Sequence, residues 1–98
     1  MAVSATFLTK VKTSLRVSFN NLDEEITSLI EEAVLDLTET ADIKPFTTND
    51  ADALQTGAVI SYVSYKFFND DSYFKAYNDM KEKMALSAKY RSVAPYEE

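Results

Sequence analysis

One glycine and two prolines are spread over 98 residues, and that scarcity limits the fold more than any other feature. Glycine and proline are the chief punctuation of tight turns, and a chain of many short strands needs a turn roughly every 8–12 residues. Few turns mean few, long elements. Apolar residues make up 46% of the chain, which excludes a disordered polymer, and this length suits one domain rather than two. The expected fold is all-α: a small four-helix domain with short loops over residues 1–91, followed by a C-terminal tail over 92–98.

The apolar spacing places the helices. Phe7, Leu8, Val11 and Leu15 fall within about 100° of arc at helical periodicity, so a first helix is expected from Ala5 to about Arg16. Ser4 would be its N-cap, and Lys12 and Arg16 stand at the negative end of its dipole. A linker, Val17–Asn20, follows. The second helix reads from Asn21 as cap, with Glu24 three residues on as its capping-box partner and Asp23, Glu24 and Glu25 in the first turn. Leu22, Ile26, Leu29, Ile30, Ala33, Val34, Leu37 and Ala41 form its apolar stripe. Its other face, Glu24, Glu25, Glu31, Glu32, Asp36 and Glu39, reads as solvated. Leu35 alone interrupts that acidic face.

Pro45 disfavours the helical region at Lys44, which makes Ile43–Thr48 a loop. The third helix is expected from Thr48 or Asn49, with Asp50 and Asp52 in its first turn, to about Phe68. It is apolar almost all round, with Gln55 and Lys66 as its one polar line, so it should be buried on more than one side. Asn69–Ser72 reads as a turn. A fourth helix follows from about Tyr73 to Ala88, with Tyr73, Phe74, Tyr77, Met80, Met84 and Ala88 on one face. Asp79 and Lys83 are placed to pair at i,i+4. Ser92–Glu98 contains Pro95 and no periodicity, and reads as the tail.

The chain has no cysteine and no histidine, which removes disulfides, thiolate and imidazole metal sites, cysteine nucleophiles and the commonest general base. Glu31 and Glu32 are adjacent and point about 100° apart on a helix, so they do not converge on an ion. The serines have no base partner, and a single glycine, Gly57, cannot build a phosphate-cradling loop. No catalytic, cofactor-binding or metal site is therefore expected. The longest uncharged stretch, Ala53–Tyr65, is shorter than the ~20 residues a bilayer requires. The first ten residues lack a signal-peptide core, so the protein is expected to stay where it is made and to meet no membrane. A net charge of −6 opposes a nucleic-acid-binding surface.

What remains is contact with other proteins. Gly57, Ser61 and Ser64 form a stripe of small residues at i, i+4 and i+7 that would let another helix approach closely. An interior helical glycine costs roughly 1 kcal/mol against alanine and so calls for a packing reason. The aromatic cluster Tyr62, Tyr65, Phe67, Phe68, Tyr73, Phe74 and Tyr77 suits either a small core or an interface. One apolar side of the third helix would then serve the core and the other a neighbouring subunit. Leu35 is either a scattered surface leucine, which is normal, or a contact. The subunit-interface candidates are Leu35, Gly57, Ser61, Ser64, Phe67 and Phe68. Tyr90, Val93 and Tyr96 have no evident place in the core and are candidates for docking a partner.

The segment Leu8-x-x-Val11-Lys12-x-x-Leu15-Arg16-Val17, then Asp23-Glu24-Glu25-Ile26-x-x-Leu29-Ile30-x-x-Ala33-x-x-Asp36-Leu37, resembles the head–tail connector (head-completion or adaptor) proteins of long-tailed phages. The third stretch, Asp52-Ala53-Leu54-x-x-x-Ala58-Val59-Ile60-x-Tyr62-Val63, extends the likeness, which runs from about Thr6 to Tyr90. The order and spacing of the pieces carry the resemblance, since each alone is only an amphipathic helix. The long uncharged third helix and the short tail depart from the family pattern. The resemblance implies a structural virion protein at the head–tail interface, made in the bacterial cytoplasm. Its partners would be the portal protein, further copies of itself in a ring (commonly twelvefold), and the next connector or stopper protein. DNA would pass through without specific binding, and Tyr90, Val93 and Tyr96 would face the portal. The rival expectation is a small acidic helical adaptor or regulator that binds a single protein partner.

Overall fold

The computed structural model describes residues 3–18, 21–40, 43–44, 46–87 and 89–90. Four helices form within them: α1 (Ala5–Leu15), α2 (Asp23–Thr40), α3 (Ala53–Phe68) and α4 (Asp71–Ala85). Helix accounts for 73% of the described residues, and no strand occurs among them, so the domain is all-α.

Local capping sets most of the boundaries. Ser4 caps α1 by accepting from the Phe7 N–H at 3.1 Å. At the other end Arg16 turns into the left-handed region (φ 61°), and the Val17 N–H reaches back to the Lys12 carbonyl at 2.9 Å. That geometry satisfies carbonyls that a helix end would otherwise orphan. The Ser4 N–H also donates to Thr48 Oγ1 at 3.0 Å, which ties the start of the domain to the loop before α3.

The second helix begins later than its sequence suggests. Asn21 lies in the preceding turn, and the Leu22 carbonyl accepts the first bond, from Ile26 N–H at 2.9 Å. The expected Asn21–Glu24 capping box is thus replaced by an apolar residue ahead of three acids. Asp23 is drawn sideways to Lys12 Nζ at 2.7 Å, an ion pair that joins the start of α2 to α1.

The third helix also starts later, at Ala53 rather than Thr48 or Asn49. The Asp50 N–H donates to the Thr47 carbonyl at 3.1 Å, and the Thr47 hydroxyl donates to Asp50 Oδ2 at 3.0 Å; this turn consumes the residues expected to begin the helix. Asp52 then caps it in a reciprocal box: its Oδ1 accepts from Gln55 N–H at 2.9 Å, and Gln55 Oε1 accepts from Asp52 N–H at 3.0 Å. Of the expected polar line, Gln55 is buried and Lys66 is exposed.

Between α3 and α4 the turn is shorter than Asn69–Ser72. Asn69 closes α3 in the left-handed region (φ 55°), and Asp70 immediately caps α4, accepting from Ser72 N–H at 3.0 Å and Ser72 Oγ at 2.8 Å. Asn and Asp tolerate these conformations better than most residues. The result moves α4 two residues earlier at its start and three earlier at its end than expected. Ala88 lies outside the described residues, as do Ala41 and Pro45.

The core is one cluster. Phe7, Val11 and Leu15 of α1 meet the α2 stripe Ile26, Ile30, Ala33, Val34 and Leu37, with Ala58, Val59, Tyr62 and Val63 of α3 and Tyr77 and Met84 of α4. Ile43 adds a fully buried side chain from the loop. α3 is the hub: it packs against each of the other three helices, most extensively α4. This explains why α3 is apolar nearly all round. The side expected to await a neighbouring subunit is largely covered within the chain by α4.

Candidate interaction surface

The tight Asn69–Asp70 connection folds α4 back along α3 and brings together aromatic residues from both sides of the turn. Phe67 meets Phe68 edge-on with ring centroids 5.3 Å apart, and Phe68 lies 5.9 Å from Tyr73. Tyr65 sits 4.6 Å from Phe74, which stacks on Tyr77 at 6.3 Å. Tyr77 in turn meets Tyr62 edge-on at 5.0 Å. These separations lie in the range where aromatic pairs attract. The array runs from the core to the surface. Tyr62 and Tyr77 are buried, whereas Phe68, Tyr73 and Phe74 are 46%, 37% and 38% exposed. Lys66 stands 5.6 Å from the Tyr62 ring centre and 5.9 Å from that of Tyr65, within cation–π range.

Tyr73 and Phe74 were expected on one face of the fourth helix with Tyr77, in an aromatic cluster suited to either a core or an interface. They occupy its first turn, where Tyr73 meets Phe68 and Phe74 meets Tyr65 near the end of α3. Leu86, just past α4, is 71% exposed, and no sequence signal singled it out.

The acidic face of α2 is mixed in use. Glu24, Glu25, Glu32 and Glu39 are exposed, with Leu35 among them at 55%. Asp36 is not a solvated carboxylate of that face, contrary to the pattern. Its Oδ2 accepts from the Tyr77 hydroxyl and from Lys81 Nζ at 3.2 Å, clasping α2 to α4. Burial, then the Asp36 hydrogen bond and charge, push the Tyr77 phenol far above its ordinary range. Burial, and then Glu32, push the Tyr62 phenol up to about 12. The described ion pairs are Lys12–Asp23, Lys81–Asp36 and Lys89–Asp52. Asp79 and Lys83, expected to pair, are both exposed.

The sequence candidates divide accordingly. Phe68 stands at the exposed end of the aromatic array, Phe67 is half-buried beside it, and Leu35 is exposed on α2. Gly57 turns inward: a Cβ there would lie 3.1 Å from Met80 Sδ, so its close approach is to α4 of the same chain. Ser64 is buried and Ser61 half-buried. Tyr90 does have a place in the fold. It packs against the core, donates its hydroxyl to Asp52 Oδ2 at 2.6 Å, and accepts the Lys44 N–H at its carbonyl at 2.7 Å. Val93, Tyr96 and the tail lie outside the described residues.

No protein-family model, curated protein or solved structure matches this chain. Among the described residues, no group of three or more acidic side chains could hold a metal ion, and no helix is long and apolar enough to cross a membrane.

Proposed function

We propose that this chain is a structural subunit that works by protein–protein contact, as a head–tail connector assembling in a ring beneath a phage portal. The observation that carries the reading is that the exposed large apolar side chains among the described residues fall in separate places: Leu35 on α2, Phe68, Tyr73 and Phe74 at the α3–α4 turn, and Leu86 just past α4. A ring is built from heterologous contacts, in which one patch of each subunit meets a different patch of the next. One patch alone would favour a two-fold dimer. The acidic surface of α2 is consistent with a channel that DNA traverses without being gripped, because carboxylates repel phosphate. The resemblance in order and spacing supplies the portal and the next connector or stopper as partners.

The test is electron microscopy of the protein mixed with the portal of the same phage, in parallel with Leu35→Ser and Phe68→Ser. Rings on the portal that are lost in either variant support the reading. A one-to-one complex with a single partner and no ring would favour the acidic-adaptor alternative.

A further inference from the structure

Met84 is the last fully buried side chain along the described sequence; beyond it Ala85, Ser87 and Tyr90 are half-buried, and Leu86 and Lys89 are exposed. Polar contacts hold this stretch in place. The Tyr90 hydroxyl donates to Asp52 Oδ2 at 2.6 Å, Lys89 Nζ lies 3.4 Å from the same oxygen, and the Tyr90 carbonyl accepts from Lys44 N–H at 2.7 Å. The other oxygen of Asp52 accepts from the Gln55 N–H as the N-cap of α3. One carboxylate therefore serves both as helix cap and as anchor for the chain after α4. Segments with few buried apolar contacts and accessible hydrogen bonds open at lower free energy than the core they lie on.

We propose that Lys89–Tyr90 is a strap that opens as a unit while the four helices stay folded, with Asp52 as its catch. Closed, the strap occupies the Lys44 N–H and Asp52 Oδ2. Open, it frees both groups, the Lys44 N–H and Asp52 Oδ2, to water. The inference stands independently of the connector reading.

Native-state hydrogen exchange on the full chain tests it, with the Lys44 amide reporting on the strap and the Val59 amide, in the middle of α3, reporting on the core. Lys44 should exchange through an opening of lower free energy than Val59. Tyr90→Phe should speed Lys44 exchange by roughly 10- to 100-fold, the effect of losing a hydrogen bond to a charged acceptor, and leave Val59 unchanged. Asp52→Asn keeps a capping oxygen for Gln55 but loses the charged acceptor, and should act in the same direction. Equal protection of Lys44 and Val59 in the unaltered protein, or equal acceleration of both in Tyr90→Phe, would make the strap part of the cooperative core and overturn the proposal. An unchanged Lys44 rate in both variants would remove Asp52 as the catch.

Discussion

Tyr77→Phe isolates the polar clasp between α2 and α4. Tyr77 is fully buried, and its hydroxyl donates to a carboxylate that also holds Lys81. Losing a hydrogen bond to a charged group costs about 1.5–3 kcal/mol. The Asp36 side chain, however, keeps Lys81 and remains 30% exposed, so water can answer part of the loss. The expected destabilisation is therefore about 1–2 kcal/mol, at or just below the bottom of that range. For a domain of this size that corresponds to a fall in Tm of about 4–16 °C. Lys81→Met should cost less, about 0–1 kcal/mol, because a partly exposed ion pair is screened by solvent. Differential scanning calorimetry at neutral pH measures both, and a double-mutant cycle of Tyr77→Phe with Asp36→Asn should show that the two losses are not additive. A Tyr77→Phe variant within about 0.5 kcal/mol of the unaltered protein would mean that Asp36 behaves as one more solvated carboxylate and that the clasp contributes nothing.

Other expectations follow from the same geometry. Gly57→Ala should lie between neutral and about 1 kcal/mol stabilising, since helix propensity favours alanine and the facing Met80 thioether is flexible; Gly57→Leu should overpack the α3–α4 contact by about 1–3 kcal/mol, while Ser28→Leu on the exposed face of α2 should change the thermal melt little. Tyr62, Tyr77 and Tyr90 all have phenols raised above the ordinary value of 10.0, so their contribution to stability is complete below that value and is lost as pH rises through the folded-state values, between 10 and about 12 for Tyr62; urea melts at increasing alkaline pH should weaken accordingly. Burial of Asp52 opposes its ionisation, but the Gln55 amide, the Tyr90 hydroxyl and Lys89 outweigh it and hold the carboxyl below the ordinary value of 3.8; that stability is present above 3.8 and is lost as pH falls through the folded value, which acid titration of the Gln55 and Lys44 amide signals will report. At micromolar concentration and low salt the protein should scatter light as a monomer or weak associate, because a charge of −6 per subunit opposes assembly, and added salt should favour association.

The number, order and type of the elements were legible in the sequence because they rest on local physics. Ser4 caps α1 whatever surrounds it, the α2 stripe from Ile26 to Leu37 has only one apolar side to bury, and α3 announces several neighbours by its lack of a polar face. The boundaries went astray where two local signals competed. Asp50 and Asp52 both offer a cap, and the turn at Thr47–Asp50 decides for Asp52; Asn69 and Asp70 close one helix and open the next without the spacer that four polar residues suggested. The exposed apolar side chains were half legible. Phe68 and Leu35 were singled out and are exposed, but Tyr73 and Phe74 share helical spacing with the buried Tyr77, and periodicity cannot tell which end of a helix outruns its neighbour. The roles of Asp36 and Tyr90 were decided by tertiary structure alone. A carboxylate on a polar stripe is solvated or clasped according to whether another helix delivers a hydroxyl to it, and a tyrosine after the last helix is free or held according to where the chain returns. Periodicity records which side of a helix prefers water; the partner that replaces the water comes from residues some 40 positions away, which no local pattern contains.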